Sequence, residues 1–279
     1  MNCGEPDALP GVSAEYRPDL PSPMTLVLDW LRGVTTVAEM ELLKIRHDPT
    51  ELLVRSVQPL LWLLIFGQAF GKFGVLSNRY VSYQVFITPG ILAQSMMFTS
   101  IFFGISIIWE RDLGLMQKFL VLPLPRSCFV VGKALGAGIR SLVQAFLIAL
   151  LTLLAGIHLN WGLLQVVGVL ITIVMGAMFF SCFSMSMAAL LKTRERFMGV
   201  GQLFTMPFFF TSNALYPLDI MPHWLQLIAR VNPLTYVVEL LRSFLVTGNP
   251  VVLRCFGILV LDVLVIATIS AWLYPKAVY

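Results

Sequence analysis

Charge is what this sequence has least of. Asp, Glu, Lys and Arg make up 12% of its 279 residues, against 58% hydrophobic side chains, and the mean hydropathy is +0.84. A soluble domain carries about 25% charged residues, so the composition excludes a water-soluble globule and indicates a polytopic membrane protein. The net charge of +4 reads as loop charge that sets orientation, and no nucleic-acid partner is expected.

Catalytic patterns are also missing. GQAFGKF at Gly67 and VVGKALG at Val130 come nearest to a phosphate loop. Neither has the GxxxxGK[ST] spacing that wraps a phosphate in backbone N–H groups. There is no HExxH and no GxSxG. His47, His158 and His223 are scattered, and the expected topology puts them on different sides of the membrane. Cys3, Cys128, Cys182 and Cys255 lack metal-ligand spacing. No enzyme activity, metal or cofactor is expected on this chain.

What the sequence does contain is grease in long runs. A spanning helix needs about 20 mostly apolar residues. Six stretches qualify: 54–73, 83–109, 135–156, 162–191, 197–216 and 253–274. Residues 1–24 are polar and proline-rich, without a basic-then-apolar signal pattern, and are expected to form a disordered tail. Residues 25–279 are expected to form one transmembrane domain. Over 25–47, Val27, Leu31, Val34, Ala38, Leu42 and Ile45 recur at helical steps, with Asp29, Arg32, Glu39 and Arg46 opposite. That pattern predicts an amphipathic helix in the interface plane, with packing on a soluble partner as the alternative. With the N-terminus inside, thirteen Lys and Arg fall on inside segments and four outside, which favours both termini on the cytoplasmic side.

Two interruptions stand out. The first, WERDLGLMQKFLVLPLPR from Trp109 to Arg126, falls on the expected cytoplasmic side. Leu113–Leu122 reads as a short helix with Asp112 as N-cap, stopped by Pro123 and Pro125. The second, from Asn213 to Val252, is apolar but broken by Pro217, Pro222, Pro233 and Pro250. It predicts two short helices, 223–231 and 234–246, separated at Asn232–Pro233 and dipping into the outer leaflet. Glu239 and Arg242 stand three apart and can pair on one face. Asp262 is the only carboxylate well inside an expected span. It reads as an acid paired with Arg140 or a hydroxyl, or as the proton site of an ion-coupled carrier.

Two blocks, WERDLGLMQKFLVLPLPRSCFVVGKAL (Trp109–Leu135) and FTSNALYPLDIMPHWLQLIARVNPLTYVVELLRSFL (Phe210–Leu245), carry a family resemblance. The chain resembles the membrane subunit of type-2 ABC exporters, the group of nodulation-factor, daunorubicin-resistance and polysaccharide-export permeases. The likeness runs from about Thr25 to the end. It implies an all-α integral membrane protein of six transmembrane helices, with an N-terminal interface helix, a cytoplasmic coupling helix and short re-entrant helices before the last span. It implies pairing with a second copy or a paralogue, contact with lipids, and two separate ATPase subunits that bind the ATP and Mg. A bacterial inner membrane is the expected location.

The resemblance assigns ATPase coupling to Glu110, Arg111, Asp112, Leu113, Gly114, Met116, Lys118, Phe119 and Arg126. Family pathways run along spans one, two and five. Here those spans offer Gln58, Trp62, Gln94, Thr99, Gln202, Phe204, Thr205 and Phe209, neutral amides, hydroxyls and aromatics suited to a large amphipathic cargo. Pro217, Pro222, Asn232, Pro233, Glu239, Arg242 and Asp262 are structural or gating candidates. The competing readings are an ion-coupled carrier using Asp262 and a membrane assembly factor without transport.

Overall fold

The computed structural model describes residues 23–47, 83–114, 126–157, 159–191, 193–247 and 252–273, together with 54, 57–59, 61–63 and 65. The expected tail before Pro23, most of the first expected span, and Met116, Lys118, Phe119, Pro123 and Pro125 lie outside them. The described residues contain helices and turns but no strand.

The helices are α1 (Pro23–His47), α2 (Tyr83–Phe103), α3 (Ile105–Asp112), α4 (Arg126–Leu154), α5 (Leu163–Leu190), α6 (Arg194–Thr211), α7 (His223–Val231), α8 (Pro233–Arg242) and α9 (Val252–Leu273). Four segments are long and apolar enough to cross a membrane: Tyr83–Asp112, Ser127–Leu154, Leu163–Leu190 and Leu253–Leu273. They coincide with the second, third, fourth and sixth expected spans. The fifth expectation, 197–216, forms α6, which ends earlier and carries Arg194, Glu195 and Arg196 in its first turn. The third was expected to begin at Leu135, yet α4 already starts at Arg126. The helix runs through Lys133 because that ammonium is neutralised by carboxylates on neighbouring helices.

α2–α3 is the enclosed centre of the bundle and α9 the most peripheral crossing. Ile87, Ile91, Met96, Met97 and Ile101 of α2 are fully buried against Ile173, Phe180, Leu234, Val237 and Leu241. The break between α2 and α3 has a cause. Gly104 lies so close to α5 that a Cβ there would stand 1.9 Å from Ser184 Oγ. The Ser184 hydroxyl donates to the Ile101 carbonyl, which interrupts the helical ladder. Outward faces carry exposed Leu163, Leu164, Leu253, Leu264 and Trp272, the pattern of a surface solvated by lipid.

α1 lies along α4, and glycines permit the approach. A Cβ at Gly132 would stand 2.6 Å from Val37 Cβ, and one at Gly136 would stand 2.6 Å from Glu41 Cβ. Trp30 Nε1 donates to Ser127 Oγ at 3.0 Å. The buried stripe of α1 is therefore Val34, Val37 and Glu41, whereas Leu31 and Leu42 are 47% exposed. Of the apolar stripe read from the sequence, Val34 is buried while Leu31 and Leu42 are open to the surroundings; the side chains of Val27 and Ile45 lie outside those described. The α1 face that packs is selected by glycine clearance and charge, with Trp30 reaching Ser127 of α4 while Leu31 and Leu42 stay exposed.

At the opposite end of the bundle the Asn-Pro break separates α7 from α8 as expected. Asn232 Oδ1 accepts from Leu234 N at 2.9 Å, capping α8, with Pro233 in the first turn. The second short helix is shorter than expected, ending at Arg242 before a π-turn over Ser243–Thr247. Pro217 opens a 3-10 turn over Leu218–Ile220, and the Pro222 carbonyl starts α7 by accepting from Leu225 N at 2.9 Å.

Candidate functional site

The Trp109–Asp112 end of α3 gathers three separate elements. Glu110 is 6% exposed. Its carboxylate meets Lys133 Nζ of α4 at 2.6 and 2.8 Å and Lys44 Nζ of α1 at 2.8 Å. Glu41, on α1, extends the cluster. It lies 2.8 Å from Lys44, 3.4 Å from Lys133 and 3.5 Å from Arg140. The Arg140 guanidinium also sits 5.2 Å from the Phe103 ring centroid. Charges this buried persist only when paired. At Lys44 burial works against the ammonium, but Glu110 and Glu41 outweigh it and raise its pKa above the usual lysine value. Glu110 was expected to face an ATPase, and the structure turns its carboxylate inward onto Lys133 and Lys44.

Arg194, at the start of α6, reaches the same end. Its Nη2 and Nε donate to Asp112 Oδ2 at 2.8 and 3.1 Å, and its guanidinium lies 3.9 Å from the Trp109 ring centroid. Asp112 is therefore no N-cap of a helix beginning at Leu113. It ends α3, where Leu113 N donates to Trp109 O at 3.0 Å and Gly114 N donates to Arg111 O at 2.9 Å. Gly114 has φ +69°, the left-handed conformation glycine supplies at helix C-termini. Arg111 lies 3.9 Å from Asp112. Leu113 is 68% exposed, and nothing approaches the Gly114 Cβ position. Leu113 is thus exposed, while the turn behind it is tied to α1, α4 and α6. Arg126 opens α4.

Of the expected pathway residues, four come together. Gln58, Gln94, Thr99 and Gln202 line one cavity of about 280 Å³. Ser95, Pro59 and the stacked pair Phe98 and Phe102, 6.1 Å between centroids, complete its wall. Trp62 and Phe209 instead pack on each other, with ring centroids 5.7 Å apart, and Phe209 is buried. Thr205 is buried with its hydroxyl donated to the Gly201 carbonyl. Phe204 lines a separate apolar groove of about 530 Å³ with Phe208, Leu227 and Val231.

At the far end, Glu239 and Arg242 do not meet directly as expected, because Asn213 stands between them. Arg242 Nη2 donates to Asn213 O at 3.0 Å, and Asn213 Nδ2 donates to Glu239 Oε1 at 3.4 Å. Arg242 lies 3.9 Å from the Phe86 ring centroid, and Cys255 Sγ donates to Glu239 Oε2 at 3.1 Å. Asp262 sits half-buried on α9. Arg140, offered as its partner, is committed to Glu41 instead. Among the described residues no three of His, Cys, Asp or Glu converge as a metal would require.

Sequence reasoning missed the five-charge cluster. Lys133 and Lys44 were read as loop charges and Glu41 was not singled out. The only available signal was the Gly132-x-x-x-Gly136 spacing, which brings α1 close enough for Glu41 to reach α4.

A helical membrane protein with apolar crossings, charge-tied linkers at one end and short re-entrant-like helices at the other has the build of a transporter's membrane subunit. Comparison with known proteins gives the family: the chain belongs to the ABC-2 type transporter family, whose pattern matches residues 32–246. It is 34% identical over 204 residues to a putative transport permease, ycf38, of Cyanophora paradoxa, covering 72% of this chain and 69% of that protein. It is 26% identical over 200 residues to the daunorubicin resistance ABC transporter permease protein DrrB1 of Streptomyces coeruleorubidus, covering 72% and 70%. It is 26% identical over 210 residues to the inner membrane transport permease YadH of Escherichia coli K12, covering 72% and 77%.

Proposed function

We propose that this chain is the transmembrane subunit of an ATP-driven exporter. It pairs with a second copy or a paralogue and moves a hydrophobic or amphipathic substrate, such as a lipid, glycolipid, lipid-linked saccharide or drug, out of the cytoplasm or inner leaflet. Two separate ATPase subunits supply the ATP and Mg chemistry. Both termini and the Trp109–Arg126 stretch face the cytoplasm of a bacterial inner membrane. The drug-resistance permease among its relatives supports the cargo class.

The observation that carries the reading is the asymmetry of the α3 end. Leu113 is exposed and a Cβ at Gly114 would meet nothing, while the turn behind them is tied through Glu110 to α1 and α4 and through Asp112 to α6. A force applied at the tip is delivered to three helices at once, which is what coupling to an external motor needs. A rigid charged knot transmits displacement because packed interiors do not deform continuously.

The test is whether an ABC ATPase co-purifies with the chain from membranes. Replacing residues 113–122 by Gly and Ser should abolish ATPase association or its stimulation by lipid, with the chain still inserted. Undiminished docking and stimulation would overturn the coupling role. Export driven by an ion gradient after ATP depletion would overturn the exporter reading itself.

A further inference from the structure

The cavity between α2, α6 and the 57–59 turn of helix holds an unusual set of groups for its depth. Gln94 lies in the middle third of the Tyr83–Asp112 crossing and is 2% exposed. Its Oε1 has no hydrogen-bond partner among the described residues. An unpaired amide acceptor in a membrane interior is costly, and no bulk water is there to satisfy it. Around it stand two more carboxamides, Gln58 and Gln202, and the Thr99 hydroxyl. Among the described residues no charged side chain lines the space.

This chemistry is selective. Without a cation, an anionic head group would enter uncompensated, and without a carboxylate so would a cationic one. Carboxamides both donate and accept, and so does a hydroxyl. Gln94 is therefore satisfied by a hydroxyl-bearing group whichever way its amide is turned. An ether or ester, which only accepts, leaves the Gln94 acceptor unpaired. The stacked rings of Phe98 and Phe102 offer an apolar wall beside these polar groups. At about 280 Å³ the cavity falls just below the roughly 300–1,000 Å³ of small-molecule sites, so it holds a head group while an apolar tail stays in the membrane.

From these features the geometry points to a subsite for an uncharged, polyhydroxylated head group on an apolar tail, with Gln94 as its specificity-determining residue. The inference rests on the exporter reading only for its meaning as a cargo site, since binding itself needs no ATPase.

The test uses the purified full-length chain in nanodiscs and octyl glucoside carrying a photoreactive diazirine in its alkyl chain. Labelling should map to the Tyr83–Phe103 peptide. Octyl glucoside should compete at roughly tenfold lower concentration than its per-O-methyl ether or octyl phosphate, the scale of about one hydrogen bond made in a dry site. Gln94→Met, similar in shape, should bring the three competitors within about threefold of one another while labelling through the tail persists. Should that variant fail to fold, Gln202→Met at the exposed rim is expected to narrow the same preference. Equal competition by glucoside and permethylated glucoside overturns the inference. So does an unchanged preference in Gln94→Met accompanied by loss of dimer, which would assign Gln94 to a second copy of the chain. A wild-type chain that shows the preference yet never couples to an ATPase sinks the exporter reading and leaves the subsite standing.

Discussion

Glu110 of α3 and Lys133 of α4 lie 2.6 Å apart in the protein interior, and they belong to a cluster of three cations and two carboxylates. That imbalance makes the two partners unequal. Glu110→Gln leaves Lys44, Lys133 and Arg140 around Glu41 alone. Lys133→Met leaves two cations facing two carboxylates. Removing one member of a buried pair costs about 3–5 kcal/mol. Glu110→Gln should sit at the upper end and Lys133→Met clearly below it. Thermal unfolding of the two variants in nanodiscs gives the ranking, and a larger loss for Lys133→Met would refute the charge-balance argument.

The docking of α1 rests on glycine clearance. Gly132→Ala places a methyl group 2.6 Å from Val37 Cβ and 3.0 Å from the Val34 carbonyl. Overpacking of this kind costs about 1–3 kcal/mol. Gly199, on α6, has open space at its Cβ position, so Gly199→Ala should instead gain about 0.5–1 kcal/mol from helix propensity. Protease accessibility of α1 checks the difference. It should rise in Gly132→Ala and stay unchanged in Gly199→Ala.

Asp112 and Arg194 tie the α3 end to α6 at the surface, at 42% and 40% side-chain exposure. An exposed pair contributes about 0–1 kcal/mol, so Asp112→Asn should scarcely move the unfolding temperature. Its effect should fall on coupling. Under the exporter reading, stimulation of the partner ATPase drops in Asp112→Asn and in Arg194→Gln, and returns in the charge-swapped double variant Asp112→Arg, Arg194→Asp. Full stimulation in both single variants would remove the pair from the coupling path.

What the sequence shows and what it hides follows from range. Apolar runs are local, and the helices Tyr83–Phe103, Leu163–Leu190 and Val252–Leu273 lie where hydropathy puts them. The Asn232–Pro233 break is local too, since a cap and a first-turn proline act within one turn. The charge cluster is not local. Glu41 and Lys133 are 92 positions apart, and nothing in either neighbourhood marks them as partners. Counting Lys133 as a boundary residue also displaced the start of α4 from Arg126 to Leu135. Gln58, Gln94, Thr99 and Gln202, drawn from three expected spans, line one cavity. Trp62, Thr205 and Phe209 turned inward because aromatic packing and a helical carbonyl claimed them.

Lys44 supplies a pH test. Its pKa in the folded protein is raised above 10.5 by Glu110 and Glu41 against the opposing effect of burial. A group with a raised folded pKa contributes stability that is fully present below its unfolded pKa and is lost as pH rises through the folded value. The α1 tether should therefore be insensitive to pH from neutrality through the mildly alkaline range, and should loosen only above the ordinary lysine range. Protease protection of α1 against pH reads this out. Replacing Lys44 by Met should remove that alkaline step, and a loosening of wild-type α1 between pH 7 and 9 would contradict it.

Asn232 is 4% exposed, and its side chain serves two helices at once. Oδ1 caps α8 through Leu234 N at 2.9 Å, while Nδ2 donates to Phe208 O at 2.7 Å and Thr211 Oγ1 at 3.0 Å. Phe208 is one of the last four residues of α6, whose carbonyls lack a partner within the helix. The next two are satisfied by Ser212 and Tyr216, so Asn232 helps to terminate α6 while starting α8. Three substitutions separate these roles. Asn232→Ser keeps the cap and gives up the bonds to α6, leaving a buried acceptor unpaired at about 1–3 kcal/mol. Asn232→Ala loses the cap as well, about 1 kcal/mol more. Asn232→Asp keeps the cap but turns an acceptor toward the Phe208 carbonyl and buries an unpaired charge, so it should be the most damaging of the three. Unfolding temperatures in the order Ser, Ala, Asp, highest first, are expected. An Asp variant as stable as the Ser variant would show that the link to α6 contributes little and that capping alone explains the residue.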